Sequence, residues 1–147
     1  ATYALGQVPT ANYYATDSMS GVSSSVATLT GGSGFGLGTF TYAVTATDNA
    51  GNTTMMTPTY EVIATIDGSL SLISEFLASG AIDNTGLAGS LSSQLDSALA
   101  AANSGNTQTA DNILNAFINH VTAQSGKHIS AEAAAVLINA ATYIINH

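Results

Sequence analysis

The sequence predicts two dissimilar domains, an all-β sandwich over residues 1–63 and an all-α four-helix bundle over residues 67–147, joined by a short linker at 64–66. Three observations carry this reading. Apolar residues recur with period two in the first part and with a helical period from Asp67 onward. Clusters of Gly, Asp, Asn and Ser punctuate the first part at short intervals, the spacing of turns between strands. The second part holds four amphipathic stripes with short connections, which make antiparallel helical neighbours.

In the β part, Thr10 to Thr16 alternates through Ala11, Tyr13 and Ala15, then stops at the turn cluster Asp17-Ser18-Met19-Ser20-Gly21. Val22 to Leu29 is a further strand, ended by Gly31-Gly32-Ser33-Gly34. Thr39 to Thr47 places Phe40, Tyr42, Val44 and Ala46 on one face and threonines on the other, the pattern of a half-buried antiparallel strand. After the turn Asp48-Asn49-Ala50-Gly51-Asn52, Thr53 to Ile63 returns as its hairpin partner. Pro58 has no N–H to give to a ladder, so its place in that strand marks an edge or a bulge. In the glycine-rich stretch between them, Phe35 and Leu37 either form an apolar tip or plug the end of the sandwich.

The helical stripes follow in order. Leu70, Ile73, Phe76 and Leu77 form the first, closed by Gly80. Leu87, Leu91, Leu95, Ala98, Leu99 and Ala102 form the second, closed near Gly105. Ala110, Ile113, Leu114, Phe117, Ile118 and Val121 form the third, ending around Ser125-Gly126. Ala134, Leu137, Ile138, Ala141, Ile144 and Ile145 form the fourth, with Ser130 as N-cap and Glu132 in the first turn. The join Ala64-Thr65-Ile66 contains no glycine and reads as a stiff connection.

Composition bounds the function. Lys and Arg together number 1 against 9 acidic residues in 147, giving a net charge of −8, and there is no cysteine. Phosphate binding needs a basic patch, so nucleic acid and anionic membrane surfaces are excluded as partners. The longest apolar stretch, Ala133 to Ile145, is interrupted by Asn139 and too short to insert across a bilayer. Most side chains from which enzymes assemble nucleophiles and anion clamps are missing, so no catalytic activity is expected. Charged residues make up 7% of the chain, far below the usual quarter or so. Its polar surface is therefore Ser, Thr, Asn and Gly, which suits an extracellular or cell-surface location with few sites for trypsin-like proteases. Ala1 is not preceded by a basic and apolar leader, so the sequence reads as a mature or processed form.

The candidate ligands are few. Asp17, Asp48, Asn49 and Asn52 sit in turns of the β part and Asp67 at the join, an oxygen-rich set suited to calcium that would act as a rigidifying ion and not as a reaction cofactor. The alternative is that these side chains satisfy nearby backbone N–H groups. His120, His128 and His147 fall on a helix, a loop and the terminus, so a zinc site would require them to converge, and surface or capping roles are preferred. Tyr3, Tyr13 and Tyr14 form the one aromatic group suited to a polysaccharide. Asn52-Thr53-Thr54 matches a glycosylation acceptor. Lys127, the single lysine, lies in the helical part, which rules out a Lys–Asn isopeptide bond inside the sandwich.

Two resemblances sharpen the outline. The runs Tyr13-Tyr14-Ala15-Thr16-Asp17-Ser18-Met19-Ser20-Gly21-Val22 and Thr45-Ala46-Thr47-Asp48-Asn49-Ala50-Gly51-Asn52-Thr53 resemble bacterial Ig-like repeats of the hyalin-repeat kind. That likeness implies a non-catalytic Ig-like sandwich, a stacked module of surface and secreted proteins. Such domains open with a Pro-initiated strand, whereas this chain starts inside the following segment; it either was cut there or lacks its first strand. Leu77-Ala78-Ser79-Gly80-Ala81-Ile82, Ala110 to Val121 and Gln124-Ser125-Gly126-Lys127-His128-Ile129-Ser130 are similar to the FIMAH domain, a helical module at the C-termini of secreted bacterial proteins. The resemblance implies architecture and location, and no activity.

The expected function is a non-catalytic, self-assembling surface or filament subunit whose partners are copies of itself, joined through strand donation to the Ig-like domain. The alternative is a C-terminal adhesion module of a larger secreted enzyme or adhesin, docking on cell wall, polysaccharide or matrix.

Overall fold

The computed structural model describes residues 1–10 and 14–147. Its strands are β1 (Thr2–Ala4), β2 (Val22–Gly31), β3 (Gly38–Asp48), β4 (Thr53–Met56) and β5 (Thr59–Ile63). The helices are α1 (Ile66–Ser79), α2 (Thr85–Asn103), α3 (Thr107–Gln124) and α4 (Ala131–Asn146). Two compact units result: a sheet unit of Ala1–Tyr3 with Val8–Val62, and a helical unit of Ala4–Gln7 with Ile63–His147.

In the sheet unit the strand order is β1-β5-β3-β2, with β4 also paired to β3. β2, β4 and β5 are antiparallel to β3. β1 runs parallel to β5: Glu61 N–H donates to the Ala1 carbonyl and Leu5 N–H to that of Ile63, each at 2.9 Å, so the pairing advances along both strands together. The sheet is thus open and mixed. The described strands form one layer and not the two of the expected sandwich. The three strand-like runs after Gly21 all pair around β3, which leaves none of them for a second layer. Tyr14–Thr16, expected to end a strand, has no strand pairing, and Ala11, Asn12 and Tyr13 lie outside the described residues.

Pro58 splits the expected returning strand into β4 and β5 without a bulge. Thr41 faces Thr59 and Val44 faces Met56, so one register holds on both sides of the break. Tyr42 N–H donates to the Pro58 carbonyl at 2.9 Å, while Pro58 has no N–H to return. The irregularity lies instead on β2, between Val22 and Ser24, where the Ser23 hydroxyl donates to the carbonyls of Thr47 and Asp48 at 3.0 and 3.1 Å.

Register sorts the two faces. Phe40, Tyr42, Val44 and Ala46 share one face with Ala27, Leu29, Met56, Tyr60 and Val62; threonines dominate the other. Among the described residues of this unit, Leu37 and Val62 are the buried apolar side chains. Leu37 is therefore the plug at the β2–β3 end, and Phe35 stays 41% exposed. Gly32, at a φ of +67°, lies beneath the Phe40 ring, where any Cβ would collide with it.

The helical unit closes on itself. Consecutive helices pack together, and α1 also meets α4. Ile73, Leu91, Leu95, Leu114, Phe117, Val121 and Leu137 fill the centre. Each helix starts on a side-chain cap: Thr65, Asn84, Asn106 and Ser130 accept from the N–H of Gly68, Leu87, Thr109 and Ala133. Gly80 ends α1 at a φ of +83°. Ala4–Gln7 adds a strip that the helical periodicity does not reveal: Leu5 packs on the core, and Gly6 approaches Leu72 so closely that a Cβ there would lie 3.3 Å from its Cδ2.

Candidate functional site

Two of the FIMAH-like blocks, Leu77 to Ile82 and Gln124 to Ser130, meet at one end of the helical unit. The α1–α2 and α3–α4 loops are clasped by backbone bonds: Asp83 N–H donates to His128 at 3.1 Å and Ser130 N–H to Ala81 at 2.8 Å. Ile82 and Ile129 face each other across this clasp at 0% and 1% exposure. On the outside, His128 Nδ1 meets Asp83 Oδ1 at 2.8 Å, with both side chains more than half exposed. A shallow cleft of about 270 Å³ lies here, lined by Gly80, Asp83, Lys127, His128 and their neighbours. Burial and backbone pairing use the motif residues for structure. The His128–Asp83 contact left outside is exposed to solvent and adds little to stability.

The histidines do not converge. His120 Nδ1 meets Gln94 Oε1 at 2.9 Å, between α3 and α2, and His147 Nδ1 donates to the Tyr143 carbonyl at 2.9 Å while its ring stacks on that of Tyr143. Among the described residues, no group of three or more His, Asp or Glu stands together as metal ligands do.

In the sheet unit, four of the five calcium candidates, Asp17, Asp48, Asn49 and Asn52, share one end. Asp17 Oδ1 accepts from Met19 N–H at 2.7 Å and Ser20 N–H at 3.3 Å. Asp48 Oδ1 accepts from Ala50 N–H at 2.9 Å and Asn52 N–H at 2.8 Å, and its Oδ2 from Asn52 Nδ2 at 2.9 Å. The Asn49 side chain donates to the Ser20 carbonyl at 2.6 Å and ties the two turns together. Asn52, first residue of the sequence's match to a glycosylation acceptor, thus has its amide engaged in the turn. Asp67 belongs to the first turn of α1, in the helical unit. Asp48 titrates below the ordinary aspartate range, chiefly through the Asn52 side chain and backbone; Ala50 N–H and Asp17 add to this, and partial desolvation opposes it.

Two clefts flank the apolar side of the sheet. One of about 240 Å³ is bounded by Tyr14–Asp17, Val44, Ala46, Asp48 and Met56. The other, of about 360 Å³, is lined by Tyr3, Val8, Pro9, Tyr42, Pro58 and Tyr60. Of the expected aromatic group, Tyr3 and Tyr14 line different clefts, and Tyr13 lies outside the described residues. Tyr14 is 87% exposed and lines the first cleft. Tyr3 packs edge-on to Tyr60 at 5.8 Å, and Tyr60 stacks with Phe40 at 5.3 Å and Tyr42 at 6.1 Å. Tyr60 titrates above the ordinary phenol range because burial and then the neighbouring Tyr42 and Tyr3 disfavour its anion. Hairpin register, which sets Phe40 opposite Tyr60, is the signal that finds this group in the sequence.

What these parts define is a small helical module, locked by its own loop motifs, coupled in one chain to an open sheet. Residues 66–146 match the FIMAH domain, and the chain belongs to that family. FIMAH is a domain of secreted or surface proteins of bacteria. No curated protein and no solved structure matches the chain. Among the described residues, no helix is long and apolar enough to cross a membrane.

Proposed function

We propose that this protein is a non-catalytic extracellular structural subunit that assembles with copies of itself through its sheet unit, whose Ig-like layer is completed by a neighbouring chain. The observation that carries this reading is a sheet left uncovered among the described residues: Leu29 and Met56 on its apolar face are 46% and 67% exposed, and β2 is the last strand of the order. Soluble monomers ordinarily cover such surfaces or guard them with charge. Low charge favours close packing between copies, since few ionic groups must lose water. Sedimentation velocity across a concentration series reaching tens of micromolar tests the reading. Mass-action growth of a larger species is expected, and a monomer at every concentration overturns it.

The adhesion reading draws on the Tyr3, Tyr42 and Tyr60 cleft. Retention of the chain on immobilised polysaccharide, lost on Tyr60→Ala, would favour it over assembly.

A further inference from the structure

We propose that two copies of this chain join by antiparallel pairing of their β2 strands across a two-fold axis, with Thr28 opposite Thr28 of the second copy. This rests on the assembly reading above and names its contact. Antiparallel ladders alternate residues that bond one neighbour with residues that bond the other. Gly32 N–H donates to Thr39 at 2.9 Å, which fixes the phase: the even-numbered residues of β2 bond β3. The N–H and C=O groups of Ser25, Ala27, Leu29 and Gly31 therefore point out of the sheet edge. Pairing about Thr28 matches all four, Ser25 with Gly31 and Ala27 with Leu29 of the other copy, and keeps apolar face with apolar face.

The chemistry of the edge favours a second copy as its occupant. β2 reads Val22-Ser23-Ser24-Ser25-Val26-Ala27-Thr28-Leu29-Thr30-Gly31, ten residues without a charge or a proline. Its bulge sits at the Val22 end and the positive-φ Gly31 at the other, with Ser24 to Thr30 regular between them. Edge strands that avoid self-pairing carry Lys, Pro or a central bulge. Of the chain's carboxylates, only Asp17, Asp48 and Glu61 belong to the sheet unit, and none is on β2, so two such edges meet without like-charge repulsion. Threonine facing threonine at the axis is a favourable cross-strand pair. Val26, 59% exposed, gains a neighbour in Thr30 of the second copy.

The absence of cysteine makes the test clean. Thr28→Cys, at the non-hydrogen-bonded position on the axis, is expected to form a disulfide-linked dimer under mild oxidation, while the exposed control Thr53→Cys does not. Ala27→Pro removes an outward N–H and leaves the ladder to β3 intact, so the far-ultraviolet spectrum is kept and self-association weakens about thirtyfold. Association that persists in Ala27→Pro without a Thr28→Cys cross-link overturns β2 pairing and leaves assembly through the apolar face standing. A wild-type chain that stays monomeric overturns both.

Discussion

Phe117 and Tyr42 both project from the apolar side of a regular element, yet Phe117 is 0% exposed and Tyr42 only partly buried. The difference lies in what surrounds each element. Around Phe117, helices packed in sequence order with α1 meeting α4 enclose a shared interior, sealed at one end by Ile82 and Ile129. Around Tyr42 the described residues form one layer, and a single sheet covers only the side toward which another layer folds. Stability therefore resides in the helical unit and unsatisfied surface in the sheet unit.

This contrast can be broken most directly by truncation. Phe117→Ala should cost ~3–5 kcal/mol in denaturant unfolding, whereas Met56→Ala, at 67% exposure, should change stability by less than ~0.5 kcal/mol. Comparable losses would mean that the sheet face has a cover of its own. Gly32→Ala comes next: positive φ and the overlying Phe40 ring should together cost at least ~1–2 kcal/mol, with the β2–β3 amides losing hydrogen-exchange protection before the helices do.

Smaller effects sharpen the picture of the turns. Asn52→Ala should raise the Asp48 midpoint, read by NMR titration, toward the ordinary aspartate value, because the largest cause of its depression is removed. A carboxyl depressed in the folded state contributes stability that is present above its unfolded pKa and lost as pH falls through its folded one. The contribution of this turn therefore fades on the acid side of the ordinary aspartate range. Smallest of all is metal removal. Asp17 and Asp48 already hold backbone N–H groups, so EDTA should shift the melting temperature by less than ~1 °C. A larger shift would assign calcium to these turns.

Helices were legible in the sequence because their signals are local. Leu91, Leu95, Ala98, Leu114, Phe117 and Leu137 keep the period that buries them, and Gly80 and Ser130 terminate and start helices through their own chemistry. α1 is the exception. Its expected stripe omitted Ile66, Ser69 and Leu72, which are buried in a unit that includes Ala4–Gln7, more than fifty residues earlier in the chain. Alternation likewise revealed β2 and β3 but could not say whether neighbouring strands share a layer, since a strand in either layer of a sandwich has the same period. The Asp17, Asp48 and Asn49 grouping was visible as turn composition. The Tyr3, Phe40, Tyr42 and Tyr60 cluster depended on pairing between distant strands.

Lys127, the only trypsin cleavage site of the chain, lies in the clasped loop between the bonds from Gln124 and to Ala81. A trypsin-like protease needs an extended substrate, so this loop must first release its partner loop before it can be cut. Trypsin-like proteolysis is thereby reduced to a single event gated by local opening, and the rate of that one cut measures how tightly the bundle is fastened.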